Sequence, residues 1–101
     1  MYDVLVIGGG VIGGSILREL TKYQLNVCLL EKENDVAMGQ SKANSGIVHA
    51  GFDAKPNSLK AKFNVLGNRM IQKVTNELGV KYLCNGSIVV AFSDEEVETL
   101  K

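Results

Sequence analysis

Residues 4–13 read VLVIGGGVIG, and this stretch decides the fold. Val4, Leu5, Val6 and Ile7 form a short apolar run, the pattern of a strand buried on both faces. Gly8, Gly9 and Gly10 break that run at once. From Val11 the spacing becomes helical, with Ile12, Ile16 and Leu20 at four-residue intervals and Arg18, Glu19 and Lys22 turned outward. Tyr23 and Gln24 close this helix, and residues 26–30 (NVCLL) form a second apolar strand that ends at Glu31. Strand, helix and strand within about thirty residues make one βαβ unit of an α/β fold.

The turn at the centre of this unit fits the pattern GxGxxG, as Gly8, Gly10 and Gly13. Gly8 permits a tight turn, Gly10 lets a phosphate approach the backbone, and Gly13 lets helix and strand pack closely. The helix start offers free N–H groups and the positive end of its dipole to a diphosphate. Glu31 follows 23 residues after Gly8, where a carboxylate accepts hydrogen bonds from an adenosine ribose and repels a 2′-phosphate. A strand before the glycines, a helix after them and an acid at this distance point to a dinucleotide site. This motif alone does not separate FAD from NAD.

Residues 34–56 are rich in Gly, Ser, Asn and Ala and show no periodicity, so they read as a long functional loop. A second helix starts near Asn57 or Ser58, either of which can cap it. Leu59, Phe63, Leu66, Met70, Val74 and Leu78 give it an apolar face, with Gly67 inside it and Gly79 as a left-handed C-terminal cap. Residues 80–84 and 87–92 flank Asn85-Gly86, the signal of a type I′ β-hairpin. Ser93 caps a last helix that opens with Asp94, Glu95 and Glu96, acids suited to a helix N-terminus. The chain reads as a partial one, with residues 80–101 beginning a substrate domain.

The bulk composition narrows the partners. Eleven basic and eleven acidic side chains balance to a net charge of zero over 101 residues. Such a balance offers no footprint for nucleic acid and no basic tail for an anionic membrane, so any membrane contact is peripheral. Cys28 and Cys84 form no metal-ligand cluster and require no oxidising compartment. With no basic leader and no spanning apolar run, a cytoplasmic location is expected.

Residues 41–51 (SKANSGIVHAG), with GGGVIGG before them and PNSLKAK after them, resemble the D-amino-acid-oxidase-like superfamily of FAD-dependent oxidoreductases. Within that group the chain is most similar to FAD-dependent glycerol-3-phosphate dehydrogenases and L-2-hydroxyglutarate oxidases. The resemblance implies the N-terminal part of a Rossmann-like FAD-binding domain with FAD as the cofactor. It puts Gly8, Gly10, Val11, Ile12 and Gly13 at the FAD diphosphate, and Glu31, followed by Lys32, at the adenosine end. Gln40 and Ser41, with the backbone of Asn44, Ser45 and Gly46, line the diphosphate and flavin side. His49, Ala50 and Gly51 run beside the isoalloxazine ring, where small residues let the backbone lie against a flat ring.

Two positions depart from the family pattern. Leu17 stands where the fingerprint usually has Ala, a position that bears on helix–strand packing. Asp53 stands where many glycerol-3-phosphate dehydrogenases carry Arg, so cations for a substrate phosphate must come from elsewhere. Asp53 favours a hydroxycarboxylate substrate, whereas similarity to the shorter bacterial dehydrogenases favours glycerol 3-phosphate, which stands first. The implied reaction is hydride transfer from substrate to flavin, with a second acceptor or a partner subunit reoxidising the flavin. The catalytic base is expected beyond Lys101, so residues 1–101 alone are expected to be inactive.

His49 is the only histidine and the weak catalytic candidate. Packing beside the flavin is its first reading, with tuning of the flavin or a covalent link to it as alternatives. Lys60 and Lys62 read as solvated helix side chains. A non-catalytic FAD-binding module and an NAD-dependent enzyme are the competing functions.

Overall fold

A computed structural model of the chain describes residues 1–100. In sequence order it holds strand β1 (Val4–Ile7), helix α1 (Val11–Leu20), strand β2 (Val27–Leu30), helix α2 (Leu59–Glu77) and helix α3 (Asp94–Leu100). The chain divides into two compact units, 1–47 and 48–101. Among the described residues no helix is long and apolar enough to cross a membrane.

The first unit is the βαβ motif. β1 and β2 pair in parallel, with Val4 opposite Val27 and Ile7 opposite Leu30, and α1 packs on both strands. The open end of the pair is pinned by Asp3 and Asn26. Asp3 N–H donates to the Asn26 carbonyl at 2.9 Å, and Asn26 N–H donates to Asp3 Oδ2 at 2.8 Å. At the other end Gly8 N–H donates to Leu30 O at 2.7 Å, which continues the ladder into the glycine turn.

Gly13 sets how α1 lies on the sheet. A Cβ there would run into the carbonyl oxygen of Gly8 and lie 3.5 Å from Val6 Cγ1. The half-buried residues of α1 are accordingly Gly13, Leu17, Arg18 and Leu20, so Arg18, expected to face outward, is partly covered. Of the expected stripe, Leu20 holds, while Ile12 and Ile16 give way to Gly13 and Leu17, because the helix approaches along its glycine and Leu17 fits beside it. β1 is likewise covered on one face only. Val6 is 8% exposed, whereas Ile7 on the opposite face is 82% exposed, so residues 1–100 themselves cover one face of β1 and not the other.

In the second unit Ser58 caps α2 as expected, its Oγ accepting from Ala61 N–H at 3.1 Å. The helix ends in a Schellman motif. Gly79 takes φ +65°, Gly79 N–H donates to Asn76 O, and Val80 N–H donates to Thr75 O at 2.9 Å. The protected face runs through Ala61, Asn64, Asn68, Ile71 and Thr75, while Leu59, Phe63, Leu66, Met70 and Leu78 of the expected apolar face are exposed. α3 is capped by Ser93, whose Oγ accepts from Glu96 N–H at 3.3 Å, while Glu96 Oε2 reaches back past the cap and accepts from Phe92 N–H at 2.6 Å.

The expected hairpin is absent, since residues 80–92 hold no strand among the described residues. A type I′ turn needs positive φ at both central residues, and only Gly86 has it. Ile88 and Phe92 are each 90% exposed, so no packed face rewards pairing. An isolated two-stranded hairpin is marginal without such a face.

Candidate cofactor site

The glycine turn is shaped by side chains that reach it from far along the sequence. Gly8 holds φ +102°, a conformation that a Cβ penalises. Glu31, at the end of β2, turns its carboxylate back onto the loop: Oε2 accepts from Gly9 N–H at 2.6 Å. Its other oxygen accepts from Lys32 N–H at 2.8 Å and Glu33 N–H at 3.1 Å. The N–H groups of Glu33 and Gly9, followed by that of Lys32 and the lysine charge, hold the carboxyl below its ordinary value. The acid is therefore an anion fixed in place, with lone pairs left over for further donors.

Ser41 supplies the second long-range contact. Gly10 is the N-cap of α1 and provides no side chain, so the cap comes from thirty positions downstream, where Ser41 Oγ accepts from Val11 N–H at 2.8 Å. This leaves the Ser41 hydroxyl proton free to donate outward. Gly14 N–H makes the first bond inside the helix, to Gly10 O at 2.9 Å. The N–H groups of Gly10, Ile12 and Gly13 then donate to no protein acceptor among the described residues. Three free donors at the positive end of α1, beside a hydroxyl, form a cradle for a diphosphate. A Cβ on Gly10 would sit 3.1 Å from Ser41 Oγ and close the gap between turn and serine.

The loop after β2 folds back over this turn. Ala37 N–H donates to Gly9 O at 2.9 Å, with Ala37 itself at φ +60°. Sequence reasoning passed over Ala37, and no residue-type signal marks it, because its contribution is made by the main chain alone. Asn44 Oδ1 accepts from Gly46 N–H at 2.7 Å and sets a tight bend there.

Two cavities open at the turn, and Ile7, Gly8, Gly10, Gln40 and Ser41 line both. The larger, about 860 Å³, continues along Val11, Ile12, Gly13 and Asn44 and over the apolar side chains of β1. The smaller, about 430 Å³, lies against Glu31 and Lys32. The residues present thus fit a diphosphate at the turn, with the Glu31 carboxylate beside it able to accept from a ribose. Ser45 and Gly46 stand outside both walls. His49 and Gly51 belong to the second unit, where His49 is exposed and Gly51 takes φ +108° against Val65.

Residues 3–101 match the family model described as FAD dependent oxidoreductase. The chain belongs to this family. The family's cofactor is FAD. Among relatives, a glycerol 3-phosphate dehydrogenase from Caloramator mitchellensis is 57% identical over 100 residues, covering 99% of this chain and 21% of that protein. A mitochondrial L-2-hydroxyglutarate dehydrogenase from Dictyostelium discoideum is 40% identical over 100% of this chain and 23% of its own length. A glycerol 3-phosphate oxidase from Mycoplasma genitalium is 44% identical over 93% and 25% respectively. The chain thus spans about a quarter or less of the length of these relatives.

Proposed function

We propose that the protein carrying this chain is an FAD-dependent dehydrogenase that oxidises glycerol 3-phosphate. The observation that carries the substrate is the 57% identity, across 99% of the chain, to a protein of that name. The free N–H groups of Gly10, Ile12 and Gly13 receive the diphosphate, and Ser41 donates to it while still accepting from Val11. Glu31 accepts from the adenosine ribose, with Lys32 beside it. Gln40 and Asn44 line the path from the diphosphate toward the flavin. Ser45, Gly46, His49 and Gly51 supply the backbone beside the ring. Held by these residues, FAD would supply a two-electron acceptor for the substrate hydride, to be reoxidised by a second acceptor or a partner subunit. Residues 80–101 begin the part of the protein that holds the substrate, where the catalytic base and phosphate ligands reside.

Asp53 favours one second reading, an L-2-hydroxyglutarate or similar 2-hydroxy acid substrate, because a carboxylate at that position adds no cation for a phosphate. Anaerobic mixing of the full-length, FAD-loaded protein with each substrate separates the two. Bleaching of the visible flavin band by glycerol 3-phosphate and not by L-2-hydroxyglutarate is the expected result. The reverse pattern replaces the first reading by the second.

A further inference from the structure

From Ile47 to Ala50 the chain has no regular structure and, among the described residues, no backbone–backbone hydrogen bond. What holds it is α2. Asn68, half-buried on the protected face of that helix, donates from Nδ2 to His49 O at 3.2 Å across nineteen positions. One turn earlier the same helix meets the loop again. A Cβ on Gly51 would come 2.8 Å from Val65 Cγ2, 3.7 Å from Val65 N and 3.8 Å from Asn64 Cβ. Residues 65 and 68 are neighbours on the helix surface, so the loop is touched at both 49 and 51 by one patch. The turn that follows is closed by Ala54 N–H donating to Gly51 O at 3.4 Å, and Ala54 is 7% exposed.

Helix formation does not account for an asparagine at this place, since asparagine forms helices poorly and its amide competes for backbone partners. Its contact does account for it. We propose that Asn68 is a positioning residue whose amide anchors the His49 peptide, so that α2 sets the path of residues 48–51. Joined to the functional reading above, on which it rests for the flavin, this makes Asn68 a determinant of how the loop meets the isoalloxazine ring. The residue acts through the main chain of His49 and needs no contact with the cofactor. The carbonyl of His49 accepts, so the anchor requires a donor at 68: glutamine retains one, aspartate presents an acceptor, and leucine presents neither.

The test compares Asn68→Leu, Asn68→Asp and Asn68→Gln in the full-length protein, with far-UV circular dichroism confirming that each folds. Phe52 is exposed and follows the anchored segment, so chymotryptic cleavage after it reports release of the loop. One net hydrogen bond corresponds to about fivefold in the open population, and cleavage of the FAD-free protein should rise by about that factor in the leucine and aspartate variants. The glutamine variant should stay near wild type. In the FAD-loaded protein the same two variants should shift the visible flavin spectrum and midpoint potential, with glutamine again restoring both. Equal cleavage in all four proteins overturns the anchoring role. Faster cleavage with an unaltered flavin spectrum and potential overturns its link to the cofactor. Absence of FAD from the wild-type protein refutes the functional reading, and the cleavage rates then still decide whether Asn68 holds the loop.

Discussion

Two adjacent glycines of α1 should respond to alanine with opposite signs. In Gly13→Ala the new Cβ is driven into the Gly8 carbonyl oxygen, with Gly8 C at 3.1 Å and Val6 Cγ1 at 3.5 Å. Gly8 has little freedom to yield, because its N–H is bonded to Leu30 O at 2.7 Å and its φ is +102°. The helix must therefore lift from the sheet, a strain at the upper end of the 1–3 kcal/mol typical of overpacking. Alanine's better helix propensity returns about 1 kcal/mol, leaving a net cost of about 2 kcal/mol. If that distortion is charged wholly to the cofactor-binding turn, FAD affinity falls by about thirtyfold. Gly14→Ala meets nothing within 4 Å and should gain up to about 1 kcal/mol. Equilibrium FAD titration of both full-length variants, followed by flavin fluorescence, measures the contrast. Equal affinity in the two variants, or the weaker binding in Gly14→Ala, refutes the packing argument.

Ser41→Ala removes the side-chain cap on Val11 N–H at the start of α1 and should cost about 1 kcal/mol, read as about fivefold weaker FAD binding in the same titration. Glu31 should give a pH signature: its folded carboxyl is held below the ordinary 4.5, so its contribution is present above that pH and is lost as pH falls through the lower folded value. The stability difference between wild type and Glu31→Gln should therefore shrink in acid, as measured by denaturant unfolding across pH. Gly46→Val and Gly51→Val each place a branched side chain at positive φ, costing about 1–3 kcal/mol. Gly51→Val should be the worse, because its Cβ also meets Val65 Cγ2 at 2.8 Å, and FAD retention after gel filtration ranks the pair.

The βαβ unit was legible because its determinants are local. A strand, a glycine turn and a helix within 20 residues leave few alternative arrangements, and Ser58, Gly79 and Ser93 act at their caps as residue chemistry predicts. The helix faces were read only in part, with Leu20 and Val74 correctly inward and the rest displaced, for a physical reason. Sequence periodicity finds the most apolar stripe, whereas packing follows the closest approach, which Gly13 permits in α1 and the Ala61–Asn64–Asn68 face permits in α2. The hairpin failed because its turn signal is intrinsic but its stability depends on a covering face, and Ile88 and Phe92 have none. At the candidate site, Glu31 and the glycines were found from their spacing. The cap from Ser41 to Val11 and the tie from Ala37 to Gly9 were not, since contacts across 30 and 28 positions obey no local rule.

The central claim is that the glycine turn, Glu31 and Ser41 together hold an FAD diphosphate and ribose. Denaturing the purified full-length protein and separating the released cofactor by chromatography tests it most directly. The account predicts FAD from the wild type in near-equimolar amount, and a markedly smaller yield from Gly13→Ala. Release of FMN or NAD in place of FAD, or a full complement of FAD from Gly13→Ala, would contradict it.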